Sequence, residues 1–199
     1  ETSVVSDGIL DSNPVQLIEG GATRGSNLFH SFSDFNVGSG ESVYFANPIN
    51  IDNILSRITG NSLSTIDGVL GVDGTANLFL LNPNGIIFGP GAQLDISGSF
   101  TASTAESFRF ADGEAFSAVA PETPLLSVSV PLGLQLNNTA NIQPQGDLTN
   151  EAVLTVGEAQ TLTLLGDTVS SNIHLSAPDG RAQVMGRQVE LTDGPSSTQ

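Results

Sequence analysis

Two histidines and a scatter of carboxylates are the residues of this chain with the most chemistry to offer. His30 is followed by Ser31 and Asp34, which together supply the side-chain types of a serine-hydrolase relay. Adjacency along the chain does not create that geometry, and no Gly-x-Ser-x-Gly elbow accompanies it. His174 falls at the polar phase of Asn172-Ile173-His174-Leu175 and is expected to face solvent. Asp95, Glu106, Asp112 and Glu114 could supply the paired acids of a polysaccharide-cleaving enzyme. Asp112-Gly113, however, reads first as a turn. Asp67-Gly68 and Asp73-Gly74 could offer oxygens to calcium, yet neither EF-hand spacing nor a tandem Gly-Gly-x-Gly-x-Asp repeat is present. Turn formation accounts for these pairs without a metal. With no cysteine, thiol catalysis, thiolate zinc sites and disulfides are excluded. The expectation is no catalytic residue, no cofactor and no metal.

The charge balance narrows the partners. The 199 residues include 21 Asp plus Glu against 5 Lys plus Arg, a formal net charge of −16. All the cations are arginines: Arg24, Arg57, Arg109, Arg181 and Arg187. Nucleic acids and anionic membrane surfaces both require clustered cations, so neither fits. Acidic sugars would find few cationic groups. Charged residues are 13 % of the chain and hydrophobic ones 38 %, a composition for a folded domain with a neutral polar surface. The longest apolar run, Leu78-Phe79-Leu80-Leu81, falls far short of the ~18 residues that signal a membrane span. The start at Glu1 is read as a processed or excised fragment.

The elements that would position these residues are short strands. Glycine numbers 22 and proline 10, spread at short intervals, and Asp-Gly pairs at Asp7, Asp67, Asp73, Asp112, Asp179 and Asp193 suggest tight turns. Between them lie alternating pieces: Ser127–Val130, Leu132–Leu136, Thr161–Leu164, Asn172–Leu175 and Gln188–Leu191. Apolar triplets centred on Phe79, Ile87 and Asp95 recur every eighth residue, and later pieces start near Val153, Leu162, Ile173 and Val184. Three faces of that length make a coil of ~24 residues, in the range of solenoid repeats. A right-handed parallel β-helix therefore leads, with a β-sandwich as rival. Ten phenylalanines with one tyrosine and no tryptophan suit a narrow stacked core. One stretch resists: Ile51, Ile54, Leu55 and Ile58 have helical spacing ahead of Gly60, although two bent strands read equally well.

The most specific segment is Ala76–Gly89, containing Asn82-Pro83-Asn84-Gly85-Ile86. Pro83 fixes φ at the first central position of a turn, Asn84 and Gly85 tolerate left-handed backbone, and Asn82 can bond back to the main chain. With Gly25–Phe32, Phe35–Gly38, Ile54–Gly60, Leu94–Phe100 and Ala102–Thr104 around it, the chain resembles the N-terminal haemagglutination-activity domain of filamentous haemagglutinin-like proteins, in the form common in cyanobacteria. That is the two-partner secretion domain of large exoproteins. The likeness is densest from Gly25 to Phe116 and looser to the end.

The resemblance implies an all-β fold, a right-handed parallel β-helix with an N-terminal cap and small β elements outside it. It also implies a single domain over 1–199: a cap at 1–24, the helix at 25–193 and a tail at 194–199. The implied function is that of a secretion signal and folding template, recognised in the periplasm by POTRA modules of an outer-membrane β-barrel transporter. Secretion or cell-surface display, a monomeric isolated domain and no stable membrane insertion follow. Asn82, Pro83, Asn84, Gly85 and Ile86 match the family's Asn-Pro-Asn-Gly-Ile motif residue for residue. A second family motif, Asn-Pro-Asn-Leu, has its nearest counterpart at Asn47-Pro48-Ile49-Asn50, which departs at its third and fourth positions. The resemblance also moves Ile51–Gly60 toward strand and turn. A carbohydrate-binding adhesin module and a β-helical polysaccharide-degrading enzyme are the alternatives.

Overall fold

Short apolar stretches bounded by Asn, Gly and Pro become strands that wind into a coil. The computed structural model describes residues 2–110, 114–121, 146–171 and 175–191. Strand β1 (Ser3–Leu10) pairs antiparallel with β2 (Asn13–Gly20). Their two-residue connection puts Asp11 and Ser12 at φ 48° and 69°, the positive values a tight hairpin requires. Asp7-Gly8, read above as a turn, instead lies within β1, opposite Gln16 and Val15. The chain reverses four residues later because Asp11 and Ser12 take the left-handed backbone themselves.

From β2 onward the path is that of a parallel β-helix of about six coils. In the first coil β3 (Ala22–Arg24) pairs antiparallel with β4 (Asn27–Phe32), and Val37 bridges forward to Ile66. The second coil is β5 (Ser42–Ala46), β6 (Asn53–Ile58) and β7 (Ser64–Ile66); the third is β8 (Val69–Asp73), β9 (Asn77–Leu81) and β10 (Ile86–Phe88). The fourth begins with β11 (Gln93–Asp95) and β12 (Phe100–Ser103). It then leaves the helix in an excursion holding the antiparallel hairpin β13 (Ser107–Arg109) and β14 (Ala115–Ser117), and returns at β15 (Leu148–Asn150). The fifth coil is β16 (Leu154–Thr155) and β17 (Thr161–Ser171), the sixth β18 (Leu175–Ser176) and β19 (Arg181–Leu191). Equivalent strands of successive coils pair in parallel register, as Leu28, Ile54, Leu78, Phe100 and Leu162 do on one face.

The coil tightens along the axis. Equivalent residues lie 26 apart between Asn27 and Asn53, 24 between Asn53 and Asn77, and 20 between Asp167 and Arg187. The expected ~24 is thus a midpoint. Shortening comes from the corners: β17 and β19 bend at Gly166 and Gly186, which pair with each other, and run from one face onto the next without a separate turn.

The interior is one apolar stack of Leu, Ile, Val and Phe from every coil. A second cluster lies outside it. Phe29, Leu55, Phe79 and Leu81 project outward from β4, β6 and β9, and Ala105, Phe108, Phe110, Phe116 and Ala118 of the excursion cover them. This double covering explains Ile51–Gly60. The segment forms β6 and a bend, as the resemblance implied, and no helix occurs among the described residues. Ile54 and Ile58 face the inner core while Leu55 lies beneath the excursion. A strand buried on both faces loses its alternation and mimics helical spacing.

Candidate functional site

Asn82 to Ile86 form the corner between β9 and β10. The Gly85 N–H donates to the Asn82 carbonyl at 3.2 Å, closing a four-residue turn with Pro83 at its first central position. Gly85 takes φ 128°, a value β-carbon-bearing residues rarely adopt. Asn82 Oδ1 accepts from the Asn84 backbone N–H at 3.0 Å, the local bond that sharpens the bend.

The corner also ties three coils together. Fully buried Asn82 sends Nδ2 back to the Ser62 carbonyl and Ser64 Oγ, both at 3.0 Å, while its backbone N–H donates forward to Ser103 at 3.0 Å. Asn84 Nδ2 reaches the Gly60 carbonyl at 2.9 Å, Ser64 N donates to Gly85 O, and Ile86 N donates to Asp147 O. Directly on the corner sits Gly146, where a β-carbon would come within 2.6 Å of Gly85 N and Pro83 O. Thr104 Oγ1 donates to the Gly146 carbonyl at 2.6 Å across 42 residues of chain. The motif therefore lies under the neck of the excursion, where the chain leaves the helix and re-enters it.

Asn47 plays a related part at the corner between β5 and β6. Its Oδ1 accepts from the Thr75 and Ala76 backbone N–H groups of the next coil, each at 3.0 Å, and its Nδ2 donates to the Ile51 carbonyl. Pro48 O accepts from Ile51 N at 3.2 Å, and Asn50 has φ 70°. Asn47-Pro48 thus ties coils together as Asn82-Pro83 does, at a different corner.

Three polar arrangements were not anticipated from sequence. Asn77 Nδ2 donates to Asn53 Oδ1 and Asn53 Nδ2 to Asn27 Oδ1, each at 2.9 Å, and the ladder continues through the Ser99 backbone N–H. Its signal was there as Asn followed by Leu or Ile at the head of three strands. Arg57 clamps the excursion: Nη1 donates to Ser117 O at 2.6 Å and Nη2 to Pro121 O at 3.0 Å, with the guanidinium 4.6 Å from the Phe116 ring centroid. Tyr44 crosses over Gly71 and donates to Asp95 Oδ2 at 2.6 Å. Burial first, and then the Asp95 carboxylate, hold the phenol well above its ordinary pKa.

The candidate chemical residues do not assemble. His30 points into the core and is 1 % exposed, whereas Ser31, its neighbour, bonds outward to Arg57. Asp95 belongs to one sheet, while Glu106 and Glu114 flank the excursion hairpin over another. Among the described residues no three His, Asp or Glu side chains gather as a metal would require, and no helix is long and apolar enough to cross a membrane. His174, Asp112-Gly113, the strands expected at Ser127–Val130, Leu132–Leu136 and Asn172–Ile173, and the tail at 194–199 lie outside the described residues.

Against known protein families, residues 2–191 match the TPS secretion domain. The chain belongs to this family. A solved structure similar to this TPS domain is described as "Crystal structure of filamentous hemagglutinin secretion domain", with 17 % identity, a TM-score of 0.43, and coverage of 97 % of this chain and 100 % of that one. Comparison with curated proteins gives no match. The TPS family is one of secretion domains rather than enzymes, so this chain is a two-partner secretion domain of an exported protein. An outer-membrane transporter is the kind of partner that membership implies.

Proposed function

We propose that this TPS domain is recognised in the periplasm by POTRA modules of its transporter and then templates the β-helix of the exoprotein outside the cell. The family match over residues 2–191 carries this reading. The physics supports it. Parallel pairing joins residues distant in sequence and forms slowly, since loop closure precedes reward, which leaves time for threading. Without cysteine, no disulfide can lock the chain before export. Within the reading, Asn82–Ile86 act structurally, setting the corner on which the excursion neck rests, and Asn47-Pro48 support the neighbouring corner. Localisation is then the cell surface or medium, reached through the periplasm and outer membrane.

Docking is assigned to strand addition. Strand β1 ends its sheet, and exposed Val4, Val5 and Ile9 lie along it. A transporter strand added there would gain main-chain hydrogen bonds and apolar contact. The test is co-expression of a longer exoprotein with its transporter, comparing secreted and periplasmic amounts. Replacing Asn82 and Pro83 should retain the protein in the periplasm; undiminished export of that variant refutes the structural role. Proline substitutions along β1 should weaken binding to isolated POTRA modules, and unchanged binding sinks the strand-addition mode.

A further inference from the structure

Asn84-Gly85 is the one Asn-Gly step in the sequence. Glycine leaves its own nitrogen unshielded for attack on the preceding side chain. In the folded corner that attack is opposed at both ends. The Gly85 N–H is engaged with the Asn82 carbonyl at 3.2 Å. The Asn84 amide nitrogen is held by the Gly60 carbonyl at 2.9 Å and Asn82 Oδ1 at 3.0 Å. Gly146, packed against Gly85 N, leaves little room for the ring that the reaction must form.

We propose that Asn84 is a deamidation site of the unfolded chain that folding protects, so that the corner limits how long the chain can remain unfolded and stay competent to fold. In the reaction the deprotonated Gly85 nitrogen attacks Asn84 Cγ, forming a C–N bond and a cyclic imide. The Asn84 amide nitrogen departs as ammonia, taking up the proton. One water then opens the ring at either carbonyl, leaving aspartate or isoaspartate at position 84. No redox partner is needed. The product has no side-chain N–H, so both donations are lost, and its carboxylate faces the Gly60 and Asn82 oxygens that they served. The iso form also adds a backbone methylene against Gly146. The inference depends on the corner geometry alone and stands apart from the transporter reading.

Wild-type protein is incubated in concentrated urea and in native buffer at the same mildly alkaline pH, digested, and the peptide containing position 84 quantified by mass spectrometry. Amide-to-acid conversion should accumulate in urea and run at least roughly ten-fold slower in native buffer, since about 1.4 kcal/mol of local hydrogen bonding already gives that factor. Equal rates overturn the proposal. The Asn84→Gln chain should lose the signal in urea, and its persistence would place the chemistry elsewhere. After dilution from urea, converted chains should be depleted from the refolded fraction, and Asn84→Asp should show a lower urea midpoint or fail to fold. An even distribution of converted chains, or an unchanged midpoint, removes the claim that conversion disables the corner.

Discussion

His30 faces inward in the first coil, in register with Ser56 of the second. A hydrogen bond of 2.9 Å joins its Nδ1 to Ser3 Oγ, while its Nε2 and the Ser56 hydroxyl are buried without a partner. The surroundings are Phe32, Phe45 and Gly21, none of which offers a counter-charge. Burial accordingly pushes the imidazolium down to about 4 from an ordinary 6.5. Between those values the unfolded chain takes up a proton that the folded one refuses, so stability is complete above pH 6.5 and declines as pH falls toward 4. The full effect is about 3 kcal/mol. Between pH 7 and pH 4 the urea midpoint of wild type should fall relative to that of His30→Leu, the relief of carboxylate repulsion being common to both. Identical slopes would show that His30 titrates as freely when folded. Asn82 makes a second prediction at this scale. Replacing it by Ala strands the buried Ser64 hydroxyl and removes the bonds to the Ser62 carbonyl and the Asn84 N–H, a loss of about 2–4 kcal/mol, which urea unfolding of the isolated domain reads directly.

The excursion hairpin is held to the coil by aromatic packing and by the Arg57 clamp. Phe116 is 1 % exposed and packs edge-on to Phe29 with ring centroids 5.0 Å apart, and Arg57 ties Ser117 and Pro121 to the coil. Phe116→Ala should cost about 3–5 kcal/mol. Because coils depend mainly on their neighbours, that loss should appear locally: limited proteolysis should cut within residues 104–146 while the remaining coils resist. Cleavage no faster than in wild type would show that the hairpin is held by other contacts. The strands differ in how plainly their sequence announces them. Leu78-Phe79-Leu80, Ile86-Ile87-Phe88 and the Leu94 region mark β9, β10 and β11 because Leu78, Leu80, Ile86, Phe88 and Leu94 alternate toward the inner core and each face ends in a corner. Strand β6 was ambiguous because its second face is covered by a segment some fifty residues onward, which local spacing cannot record. The Asn82 turn was legible from Pro83 and Gly85, whereas its bonds to Ser62, Ser64 and Gly60 depend on coil register. The asparagine ladder stayed hidden because its spacing changes from 26 to 24 residues, so no fixed period reveals it.

For the whole molecule the dominant long-range term is charge. A chain with net charge −16 compresses its carboxylates when it coils, and the surface ion pair of Arg187 with Asp167 does little against that. Such a pair contributes roughly 0–1 kcal/mol, too little to offset repulsion spread over the molecule. The expanded unfolded chain holds the same charges farther apart, so self-repulsion favours unfolding. Salt should then stabilise this domain, opposite to its effect on a fold supported by surface ion pairs. Raising ionic strength from about 0.01 M to about 0.1 M shortens the screening length from about 30 Å to about 10 Å, which separates distant carboxylates electrically. The urea midpoint should rise over that range in sodium chloride and level off beyond it. Arg187→Gln should retain the rise, because the rise comes from repulsion rather than from its ion pair. A midpoint that falls with salt would mean that local attractions outweigh the net charge. The same repulsion opposes early collapse of a chain whose parallel pairing is slow, so added salt should also speed refolding from urea, a change that stopped-flow fluorescence of Tyr44 can follow.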